Sequence, residues 1–413
     1  MKGKNLVILV VVAVVLGLLA AISSLEKKPP SVSVVGKKLL PDLPLNDIAA
    51  IRVCSGSETA TVKRAESGWV SVESHDYPID FEKLRKALLD LGDITVGQSV
   101  KSTDTVRDDL RMWPPGSGTN RNSGTLVEFR AEDGSTIASL LLGEERMRSS
   151  ESGPMGSFGG SYPDGQYVSV DGGRTIALVA EEIDAFASDS KSWLDTEIVN
   201  VGQYDVARVT LTGSDGKALV VSRPEDGGSL TVEGMTDEEE QDSSKVSSIG
   251  SALSWLRFDG IADPKLTDEQ LGFDKAAAAV FETKKNEIYT VRVGGSPAGN
   301  TDRYIRLTAA LAPMKETDEE KTDKADDEQP EDKDKTDSAD DKKEAEREKK
   351  EKERKELETK LADLNARWKG WTYVISSSKA NHLTASREDV VKPKEKEEEK
   401  KDEKDEEPDK EDK

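Results

Sequence analysis

Apolar residues in this chain follow three patterns. The first is an uninterrupted run from Leu6 to Ile22, LVILVVVAVVLGLLAAI, with Lys2 and Lys4 before it and Lys27 and Lys28 after it. At about 1.5 Å per residue, and continued to Leu25, it reaches about 30 Å, the thickness of a bilayer's hydrocarbon core. The expectation is an uncleaved transmembrane anchor over residues 1–26, touching the membrane through residues 6–25. A cleaved signal peptide competes with it, because Ala21-Ile22-Ser23 offers small residues where a signal peptidase inspects the chain. No Cys directly follows the run, which excludes a lipoprotein-type acylated terminus. With no second span after it, the rest of the chain is expected outside the cytoplasm, tethered to a bacterial inner membrane by a single pass.

The second pattern is alternation of period two broken by one helical stretch, and it occurs twice. Its first copy has Ile48-Ala-Ala-Ile-Arg-Val53, Trp69-Val-Ser-Val72, a helix from about Phe81 to Leu91 with Phe81, Leu84, Leu88 and Leu91 on one face, then Leu126–Phe129, Ile137–Leu142 and a hairpin of Tyr167–Val170 with Ile176–Val179. The second copy has Val206–Leu211, Leu230–Val232, a helix from about Val246 to Phe258, Ala279–Phe281, Ile288–Gly294, Tyr304–Leu307 and Trp371–Ile375. The spacing from Ile137 to Gly143 equals that from Ile288 to Gly294. The predicted fold class is α+β: an N-terminal transmembrane helix, then two diverged repeats of strands with one packed helix each. The expected boundaries are a Pro-containing stalk at 27–45, a first module at 46–200, a second at 201–391 and a charged tail at 392–413.

The third pattern is a charged insertion from Ala309 to Gly370, where the second copy joins two strands that the first copy joins by a short turn. Lys315 to Asp341 is acidic, contains Pro330 and lacks periodicity, which predicts disorder. From Lys343 to Trp368, Leu357, Leu361, Leu364 and Trp368 recur at helical spacing among Glu and Lys, which predicts a solvent-crossing helix docked at its C-terminal end. The tail from Lys392 is again charged and predicted to be disordered.

Charged residues are concentrated in these segments, with 33 between positions 315 and 356 and 20 between 392 and 413, yet the two carry only −7 and −4 of the net charge of −23. What remains is still acidic, so nucleic acid is excluded as a partner. One cysteine, Cys54, rules out an internal disulfide framework, and His75 and His382 leave little for imidazole chemistry. Gly213-Ser-Asp-Gly216-Lys217 lacks the length and the hydroxyl of a phosphate loop and reads as a hairpin turn. Gly294-Gly-Ser-Pro-Ala298 has Ala where a nucleophile elbow needs its second Gly. Asp237-Glu-Glu-Glu240 and Asp242 lack the Gly-punctuated spacing of a calcium loop. Trp69, Trp193, Trp255 and Trp371 fall where alternation buries them, and Cys54 reads as a small buried apolar group. The sequence thus calls for no catalytic residue, no metal site and no cofactor. The one candidate interaction site is the Gly-rich loop Gly153–Gly165, with Gly153, Phe158, Tyr162 and Pro163, and its plainer reading is a permissive insertion.

The order of a Lys-flanked span, an Asp47-Ile-x-x-Ile-x-Val53 strand, a Gly68-Trp-x-Val strand, a Leu-x-x-Leu helix, Asp133-Gly134 and Leu142-Gly143 turns, and Tyr167-Val-x-Val170 resembles bacterial proteins carrying the domain of unknown function 4340. The family's Gly-Leu-x-x-Pro turn is represented by Asp109-Leu110-Arg111-Met112-Trp113-Pro114, which keeps the Leu and a Pro but not the Gly. The resemblance implies a membrane-anchored, non-enzymatic envelope protein that accompanies an ABC-type export or gliding-type transport system, with its permease and ATPase as partners. The alternative is a stand-alone envelope protein that binds a ligand such as a glycan through the Gly153–Gly165 loop.

Overall fold

The computed structural model describes residues 35–41, 43–117, 122–149, 161–224, 227–313 and 337–394. The apolar run at 6–25, most of the charged insertion before residue 337 and the tail beyond residue 394 lie outside them. Among the described residues no helix is long and apolar enough to cross a membrane. The chain divides into two compact units, Met1–Leu194 and Asp195–Lys413.

The α+β expectation is overturned, while its N-terminal transmembrane helix falls on residues outside the described ones. The described residues are mostly strand, gathered into two large antiparallel sheets. In the first unit a nine-stranded sheet runs β4 (Tyr77–Pro78), β3 (Gly68–Ser71), β2 (Glu58–Ala65), β1 (Ala50–Ser55), β6 (Thr125–Arg130), β7 (Thr136–Ser149), β8 (Ser161–Ser169), β9 (Ile176–Val179) and β5 (Val96–Val100). In the second an eight-stranded sheet runs β13 (Thr231–Val232), β12 (Ala218–Ser222), β11 (Val206–Thr212), β17 (Ala277–Thr283), β18 (Glu287–Val293), β19 (Arg303–Leu311), β20 (Tyr373–Ile375) and β16 (Gly260–Ile261). Two small ribbons, β10 (Glu197–Val199) with β15 (Leu256–Arg257) and β14 (Glu239–Gln241) with β21 (Val391–Pro393), complete the second unit. Apart from the extra edge strand β4, the two large sheets share one order. In both, a strand that precedes the central ones in sequence, β5 or β16, pairs at the far edge with the last strand.

Strand content exceeds the expectation because several strands are polar on their outer face. In β2, Glu-Thr-Ala-Thr-Val-Lys-Arg-Ala, only Ala60 and Val62 point into the core, and that sparse alternation reads as loop. The helical share shrinks for a related reason. The helix expected over Val246–Phe258 covers only Ser243–Gly250, because Ser247, Ser248, Gly250 and Ser251 favour turns and caps over helix interior. The chain then turns into β15.

In the first unit helix α1 (Phe81–Asp93) starts at the N-cap Asp80, whose carboxylate accepts the Lys83 N–H at 3.1 Å. It buries Leu84, Ala87 and Leu91 and leaves Phe81 exposed, so the buried stripe is narrower than the four-residue face expected. Ile51, Val53, Val127, Phe129 and Leu140 form the inner face of the sheet, and Phe129, Phe186 and Trp193 meet in succession at 5.8 and 6.1 Å between ring centroids, the first pair edge to face and the second tilted. Part of the expected stalk is also packed: Gly36 and Leu39 donate backbone hydrogen bonds to Val96 and Ile94, and Leu39 is buried. These bonds satisfy backbone groups beside β5 that an edge strand leaves open.

Helix α2 (Asp104–Asp109) lies between β5 and β6, and helix α3 (Ser243–Gly250) between β14 and β15. The long helix α4 (Asp337–Trp368) enters the connection between β19 and β20, and the short helices α5 (Ser377–Leu383) and α6 (Arg387–Val390) end the described chain. Only the last turns of α4 pack on the second unit. Leu361 and Trp368 are buried, the Trp368 indole N–H donates to the Ile198 carbonyl, and the Asn365 amide both accepts from and donates to the backbone of Ala309. β20 pairs with β19 over Arg303–Ile305, so Asn365 supplies partners to β19 beyond the point where its neighbour strand ends. Lys360 adds an ion pair at 2.9 Å to the buried Glu287. Burial lowers the Lys360 ammonium's proton affinity, but Glu287 and Tyr289 more than offset this and hold it above its ordinary value. Burial in turn pushes the Tyr289 hydroxyl up.

Candidate functional site

Each unit carries the same crossing turn over the outer face of its sheet. In the first, Leu110-Arg111-Met112 passes over β7 at Gly143, and the Leu110 carbonyl accepts the Glu144 N–H at 2.9 Å. In the second, Leu271-Gly272-Phe273 passes over the end of β18, and the Leu271 carbonyl accepts the Gly295 N–H at 2.7 Å. The middle residue is left-handed in both, with φ 53° at Arg111 and 71° at Gly272. The strand residue beneath is glycine in both. A Cβ on Gly143 would meet Leu110 O and Met112 Sδ at 2.4 Å, and one on Gly294 would meet Leu271 O at 2.4 Å. The common spacing from Ile137 to Gly143 and from Ile288 to Gly294 therefore places equivalent residues under equivalent turns.

What the turn covers differs. In the first unit Met112, Leu141 and Ile176 form a closed apolar cluster, with Leu126 opposite Leu141 on one side and Ser169 opposite it on the other. Ser169 donates to Asp171, which also accepts from the Thr175 backbone and hydroxyl. Burial raises the proton affinity of Asp171, but these hydrogen bonds and Arg174 outweigh it and hold the carboxyl below its ordinary value.

In the second unit the same sheet positions carry Ala278, Arg292 and Arg306, and the two arginines are direct cross-strand partners. Both guanidinium groups lie over the Phe273 ring, at 5.5 Å for Arg292 and 4.3 Å for Arg306. Arg292 donates to the Phe273 carbonyl at 2.7 Å. Arg306 donates to Thr372 Oγ1 and pairs with Asp268, each at 2.8 Å. Around them is an open cleft of about 420 Å³ that Thr290, Thr308, Lys369 and Trp371 also line. Small Ala278 in place of Leu126 leaves this face less filled than its counterpart.

The residues singled out in the sequence do not converge. Gly153 and Phe158 lie outside the described residues. Tyr162 and Pro163 belong to β8, opposite Arg148 and Met147, so the Gly-rich loop ends earlier than Gly165 because β7 continues far enough to pair with it. Tyr162 is half exposed, and Arg146 holds the backbone and carboxylate of Asp164 beside it. His75 is exposed in a turn with φ 58°. His382 lies near the end of α5, its imidazole pushed down by burial and then by Lys379. Asp242 caps α3, and Glu239 pairs with Arg387 at 2.7 Å, so the acidic run serves the local fold. Among the described residues no three His, Cys, Asp or Glu side chains are grouped so as to hold a metal ion. Cys54 and Trp193 are buried, while Trp69 and Trp371 are partly exposed. Trp255 departs most from expectation: it is 62% exposed with φ 50°, since α3 ends before it and the following turn directs it outward.

The cleft escaped the sequence reading because Arg292 and Arg306 each look like an ordinary outward residue of an alternating strand. A signal was present in the repeat itself, where Leu141 aligns with Arg292. No curated protein and no solved structure matches the chain. A family model does, described as "Domain of unknown function (DUF4340)", over residues 69–276. That match runs from β3 in the first unit to the turn beyond Phe273 in the second and takes in half of the sequence, so the chain belongs to the DUF4340 family.

Proposed function

We propose that this protein is a membrane-anchored, extracytoplasmic accessory component of an ABC-type export or gliding-type system, acting by contact and not by catalysis. The observation that carries this reading is the helix α4. It is inserted in the connection between two neighbouring strands, held at its last turns by Asn365, Trp368 and Lys360, and leaves Glu351, Lys355 and Glu358 exposed farther along. Its 32 residues span about 48 Å at 1.5 Å each. Ion pairs Glu351–Lys355 and Arg354–Glu358 at i,i+4 support the exposed part without burying it, which suits a spacer that reaches a neighbouring protein. The apolar run at 6–25 supports the anchoring. Purification of the full chain from gently solubilised membranes is expected to bring a multi-span permease and an ATPase, and a chain lacking residues 337–356 is expected to lose them. A full chain that comes through alone at native expression levels would overturn this reading.

The open cleft of the second unit favours a second reading, in which the protein binds an envelope ligand there instead of through the Gly153–Gly165 loop.

A further inference from the structure

Two arginines directly opposite each other on adjacent antiparallel strands are unfavourable for the sheet, since like charges at that spacing repel. The fold does not require them, because the first unit holds the same crossing turn over Leu141 and Ser169. In the second unit the arginines are held apart from solvent-driven disorder by specific contacts: the Phe273 ring beneath both, the Phe273 carbonyl on Arg292, Thr372 and Asp268 on Arg306. Asp268 pairs with Arg306, Arg292 donates to a backbone carbonyl, and Lys369 adds a third cation to the same cleft. This cationic spot lies in a chain whose net charge is −23.

We propose that the cleft between β18, β19 and the segment Trp368–Trp371 is a binding site for an anionic monosaccharide unit. Its carboxylate or phosphate is seated on Arg292 and Arg306, and its ring lies toward Trp371. Guanidinium groups offer planar forks of donors that match carboxylate and phosphate oxygens. The hydroxyls of Thr290 and Thr308, themselves a cross-strand pair beside the arginines, suit the hydroxyls of a sugar. A cleft of about 420 Å³ with an aromatic wall and a few polar groups accommodates one sugar residue and little more. The inference rests on the ligand-binding reading of the cleft and is independent of any transporter partner, so a failed co-purification leaves it standing.

The test is calorimetric titration of the purified full chain with glucuronate and with glucose 1-phosphate, using glucose and inorganic phosphate as the neutral and ring-free controls. At least one anionic sugar is expected to bind ten times more tightly than either control, and which one binds tells a carboxylate ligand from a phosphate ligand. The double variant Arg292→Leu, Arg306→Ser installs the residues found at these positions in the first unit. It is expected to weaken binding at least tenfold, about 1.4 kcal/mol. The single exposed change Lys369→Glu, which leaves the sheet untouched, is expected to weaken it in the same direction and guards against misfolding of the double variant. Trp371→Ala is expected to lower affinity for the sugars and not for inorganic phosphate. Absence of binding by either anionic sugar, equal binding of glucose, equal binding of inorganic phosphate, or a Lys369→Glu chain with unchanged affinity would each overturn the proposal.

Discussion

The outer faces of the two sheets, at Leu141 in one unit and Arg292 in the other, solve the same geometric problem with opposite chemistry. Both lie beneath a left-handed turn whose leucine carbonyl accepts a backbone N–H just past a glycine, and both sit two residues before that glycine, which the turn overlies closely. Around Leu141 the space is filled by Met112, Ile176 and Leu126, and the result is a second small core. Around Arg292 the neighbours are Ala278, Arg306 and the flat ring of Phe273, and the result is an open cationic cleft. The backbone scaffold thus tolerates either a sealed or an open outer face, and the difference turns on three side chains at matching register.

The sharpest way to break this comparison is to exchange the chemistry. Leu141→Arg places an unpaired charge in the closed cluster and is expected to destabilise the first unit by about 4 kcal/mol. Arg292→Leu removes a repelling charge from an exposed face and is expected to change the second unit's stability by less than about 1 kcal/mol. Urea midpoints of the two variants check this, and equal losses would mean that the two faces do not differ as a sealed and an open one. Next in size, Gly143→Ala and Gly294→Ala each force a methyl against a carbonyl oxygen, with an expected loss of about 2–3 kcal/mol in either unit. Hydrogen exchange at Glu144 and Gly295 should accelerate in step with each loss. An effect in one unit alone would break the claim that the turns are alike.

A smaller effect is expected where the second unit departs from the first. Asn365→Ala leaves both backbone groups of Ala309 without the partners that α4 supplies, at a cost of about 2 kcal/mol confined to the docked end of the helix. Faster exchange of the Ala309 amide, with the rest of β18 and β19 unchanged, is the expected readout. The smallest effect concerns pH. The Asp171 carboxyl of the first unit is held below its ordinary value of 3.8, whereas the matching position in the second unit is Thr308. A carboxyl lowered by folding stabilises the fold above its unfolded pKa, and that contribution disappears as pH falls through the lower folded value. The first unit should therefore lose stability on acidification below about pH 4, and Asp171→Thr should flatten that part of the profile. Urea midpoints taken between neutral and strongly acidic pH would show it, and an unchanged slope in the variant would assign the acid sensitivity elsewhere.

Much of the strand framework was legible from alternation alone. Ile51 and Val53, Val127 and Phe129, and Val209 and Leu211 are inward residues of central strands, and their spacing announces it. Strands with few inward apolar residues were not legible: β2 buries only Ala60 and Val62, and β16 is two residues long. Those elements are strands because a neighbour supplies hydrogen-bond partners, which a local pattern does not contain. The same reason turned the start of β8 from loop into strand and the packed residues Gly36–Leu39 from stalk into an edge partner. The candidate cleft was less legible still, because its arginines come from different strands and Trp371 from beyond the long insertion.

Residue type and spacing are enough to show that two similar stretches follow an apolar run and that charged residues are gathered into an insertion and a tail. They also show the equal spacing of Gly143 and Gly294 from the start of their strands. These properties follow from residue type and spacing along one chain, where side-chain periodicity and charge act locally. The order of strands across each sheet, the capture of the α4 helix end by the exposed edge of β19, and the facing of Arg292 with Arg306 arise from three-dimensional packing alone. Register between strands is set by the summed burial of one whole face and by which backbone groups find partners, so residues far apart in sequence become neighbours through interactions that neither residue encodes alone.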